Sequence, residues 1–354
     1  MRRSLDPHAS GLSLLALSLT MSLANITFLA ATRVAVFAQT TCAIPSFRPL
    51  EQRIEPQNRF SNDPLAPSLA VGDLNQDSLP DVVVSPAVAS EVPLLTNLGG
   101  GNFRTGYFLD LPYRDAVIAD FNNDGRADIV ALTVYETVTT LLGESNGSFS
   151  ALNSTGGGQA TVVGRYSTAL RAGDFNRDGL LDVAVVNTLS NSLSILLGKG
   201  NGNFLDPVNY GVQENPHSVA VADFTGDGAP DVATANEYSE TVTLLTNDGN
   251  GVFSASHFPA GALPQEVIAW DFNRDGKSDL AVLNRGYNSI TVLRNEGAGN
   301  FAFATRWDLQ AAGSALAAGD FNGDGQEDVA VAQPYDGAVL LLLGDGNGGF
   351  CTQS

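Results

Sequence analysis

Asp174-Phe175-Asn176-Arg177-Asp178-Gly179-Leu180-Leu181-Asp182 is written, with small changes, six times along this chain. The other copies begin at Asp73, Asp120, Asp223, Asp271 and Asp320, at successive intervals of 47, 54, 49, 48 and 49 residues. A period of that length and regularity means one supersecondary unit repeated.

Each copy carries carboxylates at positions 1, 5 and 9, and all but the fourth carry Asn at position 3. Three like charges so close repel one another and raise their own pKa values unless a cation sits between them. Hard oxygen donors at alternate positions, followed by a Gly where the chain turns, match a loop that wraps Ca²⁺. The opening is that of an EF-hand loop, but the last acid falls at position 9 rather than 12, so the loop is shorter. The expected ligands are Asp73, Asn75, Asp77 and Asp81 in the first copy and Asp120, Asn122, Asp124 and Asp128 in the second. They are Asp174, Asn176, Asp178 and Asp182 in the third, and Asp223, Thr225, Asp227 and Asp231 in the fourth. Asp271, Asn273, Asp275 and Asp279 follow in the fifth, and Asp320, Asn322, Asp324 and Asp328 in the sixth. Up to six Ca²⁺ ions are expected. Ser78 replaces Gly at position 6 of the first copy and Thr225 replaces Asn in the fourth, so these two loops should bind the metal least tightly.

The flanks show what the loop joins. Ser218-Val219-Ala220-Val221-Ala222 precedes one copy and Asp182-Val183-Ala184-Val185-Val186-Asn187 closes another. Such runs, short and rich in β-branched residues, are strands, and the acidic loop is the turn between them. A third strand follows in every unit, for example Val242-Thr243-Leu244-Leu245. A Gly/Asn turn and a Phe come next: Phe103, Phe149, Phe204, Phe253, Phe301 or Phe350. The Phe is read as a core plug, and a fourth strand completes the unit, around Tyr107-Phe108-Leu109 in the first. Four short antiparallel strands per repeat is the dimension of a propeller blade. The expected fold is an all-β propeller of six four-stranded blades, with seven as the alternative.

Composition limits the partners. Thirty-eight acidic residues against 18 Lys and Arg give a formal charge of -20, which excludes a nucleic-acid backbone as ligand. Residues 1–38 resemble an export signal: Arg2 and Arg3 precede an uncharged run from Ala9 to Thr32, and Val36-Phe37-Ala38 offers a cleavage site. The run is also long enough to serve as a retained anchor, the one route to membrane contact. A secreted, periplasmic or cell-surface location follows. The two cysteines, Cys42 and Cys351, lie near opposite ends of the mature chain, and in an exported protein an even count favours a disulfide over two unrelated thiols. The last unit stops before its fourth strand, which residues 39–67 are expected to supply; 352–354 form a short tail.

The pattern D-F-N-x-D-G-x-x-D, a β run and then G-N-G-x-F resembles the FG-GAP/VCBS repeat family over residues 68–351. The blades of that family are similar to those of the integrin α-subunit propeller. The FG-GAP signature itself is degraded, with Gly261-Ala262-Leu263-Pro264 its nearest echo. The resemblance implies a calcium-binding, adhesion-like module for an extracellular protein or glycan.

In a propeller the turns between second and third strands share one face, opposite the acidic loops. Tyr135, Tyr238, Tyr287 and Tyr335 recur there, with Asn187, Asn236, Asn284 and Gln333 just after the second strands. Aromatic rings beside amides suit sugars or peptides. Only His217 and His257 follow residue 38, no nucleophile elbow or zinc helix is present, and the acids recur in every unit. The alternatives are an extracellular polysaccharide-degrading enzyme on the same scaffold and a purely structural surface module.

Overall fold

The computed structural model describes residues 68–84, 93–100, 102–107, 112–145, 148–152, 160–333 and 338–351. Every regular element among them is a β-strand, and the strands form six antiparallel sheets, each ordered as in the sequence. Blade 1 is β1 (Leu69–Gly72), β2 (Asp81–Val84), β3 (Pro93–Asn97) and β4 (Phe103–Tyr107). Blade 2 is β5 (Tyr113–Ala119), β6 (Asp128–Thr133) and β7 (Thr137–Gly143), with β8 (Phe149–Ala151) and β9 (Thr161–Val162) both paired to β7. The longest interval between loops, 54 residues, is spent on this divided outer strand.

Blade 3 is β10 (Ser167–Gly173), β11 (Asp182–Asn187), β12 (Ser192–Leu196) and β13 (Val208–Gly211). Blade 4 is β14 (Pro216–Ala222), β15 (Asp231–Asn236), β16 (Thr241–Asn247) and β17 (Phe253–Pro259). Blade 5 is β18 (Pro264–Trp270), β19 (Asp279–Asn284), β20 (Ser289–Gly297) and β21 (Asn300–Asp308). Blade 6 is described through β22 (Ala315–Gly319), β23 (Asp328–Gln333) and β24 (Ala338–Leu342). Residues 1–67, including the export signal, Cys42 and the segment expected to complete blade 6, lie outside the described residues, as does the tail 352–354.

Successive first strands pack on one another, β1 on β5, β5 on β10, β10 on β14, β14 on β18 and β18 on β22, so they form the inner wall of a ring. The apolar core is divided among the junctions. One cluster joins Phe224 and Leu244 of blade 4 to Val267 and Leu280 of blade 5, and Leu69 of blade 1 packs against the Ala315 and Leu341 cluster of blade 6. That last contact closes the ring at six blades. Because both faces of a blade are covered by neighbours, the second strand cannot alternate; all six residues of β6, β11, β15, β19 and β23 are buried. Continuous apolar runs such as Val183-Ala184-Val185-Val186 are what that position demands.

Two repeated Phe positions lock the junctions. The Phe at loop position 2 meets the Phe after the Gly/Asn turn of the following blade edge-to-face: Phe121 on Phe204 at 6.0 Å, Phe175 on Phe253 at 5.7 Å and Phe224 on Phe301 at 5.5 Å. The backbone repeats the contact, since Gly202 N–H donates to Phe121 O at 3.1 Å and Gly299 N–H to Phe224 O at 3.1 Å. Gly202 has φ +78°, and a β-carbon there would lie 2.8 Å from Leu152 and 2.9 Å from Leu142, so only glycine brings this turn against the neighbour. The fourth strand of blade 1, expected around Tyr107-Phe108-Leu109, begins at Phe103 and includes Tyr107, while Phe108 and Leu109 lie outside the described residues. The tight turn, closed by Leu98 N–H to Asn102 O at 2.8 Å, lets Asn97 pair with Phe103 directly.

Candidate functional site

Each acidic loop is a compact network of side-chain oxygens on backbone N–H groups. In the third copy Asp174 Oδ1 and Asn176 Oδ1 both accept the Asp178 N–H, at 3.1 Å each, and Asp174 Oδ2 accepts the Gly179 N–H at 2.9 Å. Asp178 Oδ1 accepts the Leu180 N–H at 2.8 Å. Asp182 faces inward: its Oδ2 accepts the Phe175 N–H at 2.8 Å and its Oδ1 the Gly198 N–H at 2.7 Å. The ninth-position acid does the same in every copy, from Asp81 to Asp328, pinning the loop to the start of the following turn. Burial pushes Asp182, Asp279 and Asp328 up to about 6 and raises Asp81, Asp128 and Asp231 as well.

The loop turns through two left-handed residues. Positions 4 and 6 have φ of 57° and 82° at Arg177 and Gly179, and Ser78 holds position 6 of the first copy at φ 67°, where a β-carbon is strained. In the fourth copy the Thr225 hydroxyl is turned back onto Asp223 Oδ1 at 3.4 Å. Oxygens of positions 1 and 3 are brought together, and the ninth-position acid is turned into the blade. Among the described residues no three acidic, His or Cys side chains form a ready cage.

The opposite face carries the second- to third-strand turns. Tyr135, Tyr238 and Tyr287 stand out from it with exposures of 70%, 66% and 64%, and Leu189 takes the same place in blade 3 at 60%. Tyr335 lies outside the described residues. Arg306 stacks over the Tyr287 ring with its guanidinium carbon 5.1 Å from the centroid.

The amides expected beside these rings are elsewhere. Asn187, Asn236 and Asn284 are completely buried and Gln333 nearly so. Asn187 Nδ2 donates to Ser194 Oγ at 2.8 Å, Asn236 Nδ2 to Thr243 Oγ1 at 2.9 Å and Asn284 Nδ2 to Thr291 Oγ1 at 2.9 Å. They tie second to third strands inside the blade, because the second strand is covered to its end, and they are not ligand contacts.

One cluster on this face breaks the repeat. The innermost strands of blades 2 to 5 each begin with a one-residue bulge, at Arg114, Thr168, His217 and Gln265. A bulge re-aims the extra side chain. In blade 4 it sets His217 Nε2 3.0 Å from Glu237 Oε2, while Asn215 Nδ2 donates to the same oxygen at 2.6 Å and Arg285 of blade 5 reaches Oε1 at 2.6 Å. Glu237 is buried, and the His217 hydrogen bond holds its carboxyl below the usual value.

Four overlapping stretches, 120–185, 174–234, 223–282 and 271–331, match the FG-GAP-like repeat, and together they span more than half of the chain. This chain belongs to the FG-GAP-like repeat family. Solved structures agree with the fold of this FG-GAP-like protein. A protein from Lactobacillus plantarum is similar at 13% identity and a TM-score of 0.54, over 80% of this chain and 85% of that one. A functionally unknown protein from Desulfotomaculum acetoxidans DSM 771 matches at 13% identity and 0.53, over 77% and 86%. BBS1N, solved in complex with ARL6DN, matches at 14% identity and 0.50, over 75% of each chain. No curated protein matches the sequence.

The donor set of this FG-GAP-like repeat is compatible with Ca²⁺. It consists of carboxylate and amide oxygens, and an oxygen that accepts one N–H keeps a second lone pair for a cation. Three of the fifth-position acids already have a cationic partner: Arg126 on Asp124, Lys277 Nζ on Asp275 at 2.9 Å, and Arg177 of the third loop on Asp227 of the fourth at 3.0 Å.

Proposed function

We propose that this protein is a calcium-stabilised binding module of the cell exterior, whose tyrosine-bearing face takes an extracellular protein or glycan. The family supports a surface or binding role in general, as FG-GAP-like repeats are typical of extracellular and surface proteins. The observation that carries the finer reading is the row of exposed side chains in the second- to third-strand turns, Tyr135, Leu189 and Tyr238 at one position and Tyr287 one residue later, on the face opposite the acid loops. Large rings held in solvent by rigid hairpins are contact surface with little entropy to lose, and repetition lets several weak contacts add avidity. A secreted, periplasmic or surface location supplies millimolar calcium, enough for sites of modest affinity. Residues Asp73 to Asp328 of the six loops would hold the metal, which would draw together carboxylates that otherwise repel.

A glycan array, probed with the full-length protein in calcium and in EDTA, tests the reading. Binding is expected for the native protein and is expected to fall at least tenfold in a Tyr238→Ala, Tyr287→Ala variant whose melting temperature is unchanged. Undiminished binding by that variant would remove the tyrosine face from the site.

A further inference from the structure

The residue at loop position 4 alternates around the ring. It is long in the odd loops, Gln76, Arg177 and Arg274, and short in the even ones, Asn123, Gly226 and Gly323. All six sit at positive φ, between 57° and 79°. Gly and Asn tolerate that backbone, whereas Gln and Arg are strained there.

Each long side chain reaches the next loop of the ring. Gln76 Nε2 donates to Gly125 O at 2.7 Å. Arg177 Nη2 donates to Asp227 O at 2.7 Å and to Asp227 Oδ1 at 3.0 Å. Arg274 lies against the sixth loop, where a β-carbon built on Gly325 would be 3.0 Å from its Nη2. No hydrogen bond runs from the short residues to a following loop among the described residues. The six loops are thus three linked pairs, first with second, third with fourth and fifth with sixth.

The third-to-fourth link differs because it places a positive charge on an expected metal ligand. Asp227 Oδ1 already accepts the Ala229 N–H at 2.7 Å, and the guanidinium takes a further position on the same oxygen. We infer that Arg177 is a built-in counter-cation of the fourth loop: it neutralises Asp227 in the metal-free protein and competes with Ca²⁺ for that carboxylate. This rests on the calcium reading of the loops. The third and sixth loops, each with a full oxygen set, a glycine and, among the described residues, no cation on its acids, are then the first to fill. The fourth, with Arg177 upon it and Thr225 in place of Asn, is the last.

The test uses the full chain and calcium alone. Calcium is titrated calorimetrically into native protein, Arg177→Ala and Thr225→Asn, with Asp227→Asn identifying the heat of the fourth loop, and melting is recorded in EDTA and in saturating calcium. Arg177→Ala is expected to tighten the fourth site roughly two- to fivefold, the scale of an exposed ion pair, and to leave the other sites unchanged. It should also lower Tm in EDTA by more than in calcium, since the pair exists only without metal. Thr225→Asn should tighten the same site without the EDTA effect. A fourth site unchanged or weakened by Arg177→Ala, in a native protein that binds calcium, overturns the inference alone. Absence of calcium binding to the native protein at any concentration overturns the inference together with the calcium reading.

Discussion

His217 Nε2 lies 3.0 Å from Glu237 Oε2 across the bulge that opens blade 4. Through Arg285 on the other carboxylate oxygen, Glu237 also joins blade 4 to blade 5. A buried carboxylate with three partners, Asn215 being the third, costs far more to break than to make.

Glu237→Gln is expected to destabilise the protein by about 1–3 kcal/mol at neutral pH, measured by urea unfolding. The sign of the pH dependence follows from a folded pKa held below 4.5, with the His217 hydrogen bond the largest cause. A depressed carboxyl contributes its full stability above the unfolded value and loses it as pH falls through the folded one. The gap between native protein and Glu237→Gln should therefore hold at neutral pH and narrow below pH 4.5. A constant gap down to the acid transition would show that the pair does not carry it.

Phe253→Ala tests the junction locks. Phe253 is buried against Phe175 and, at 5.2 Å, Tyr210, so truncation should cost about 3–5 kcal/mol in urea unfolding. Phe303, on an outer strand and 66% exposed, should change stability by less than about 0.5 kcal/mol when replaced by Ala.

Asp182→Ala separates the structural share of a loop acid from its metal share. The substitution leaves the Phe175 and Gly198 N–H groups without their acceptors, at about 1–3 kcal/mol each. The loss is expected in EDTA as well as in calcium. Asp178, exposed and bonded within its own loop, should cost little in EDTA and show its effect only with metal present.

Joining Cys42 to Cys351 would tie the start of the mature chain to blade 6. Reduction with dithiothreitol is then expected to lower stability by about 2–5 kcal/mol, and the Cys42→Ser variant should match the reduced native protein.

The fold was legible because its two decisive residues recur in register. The acids mark a turn at fixed spacing, and the Phe after each Gly/Asn turn marks the edge of a core, so strand order and a count of six or seven blades follow from Asp73 to Phe350, and the contact of Leu69 with blade 6 fixes the count at six. Asn187, Asn236 and Asn284 misled because a polar residue ending a strand reads as a surface residue, whereas a propeller covers its second strand on both sides. Leu189 was missed because its side chain is not aromatic, although it lies 15 residues after Asp174, as Tyr135 does after Asp120 and Tyr238 after Asp223. The Glu237 cluster could not be read at all: His217 reaches it through a bulge, and Arg285 belongs to another blade. The Arg177 link is visible in sequence only as an alternation of long and short residues at position 4, whose meaning needs the ring.

The most direct measurement is the metal content and melting temperature of the full-length protein, purified in calcium and then exhaustively chelated. Elemental analysis should find several calcium ions per chain before chelation, and Tm should fall by at least about 10 °C afterwards and return on adding calcium back. A chain that carries no calcium and melts at one temperature in both states would contradict the role given to the acidic loops.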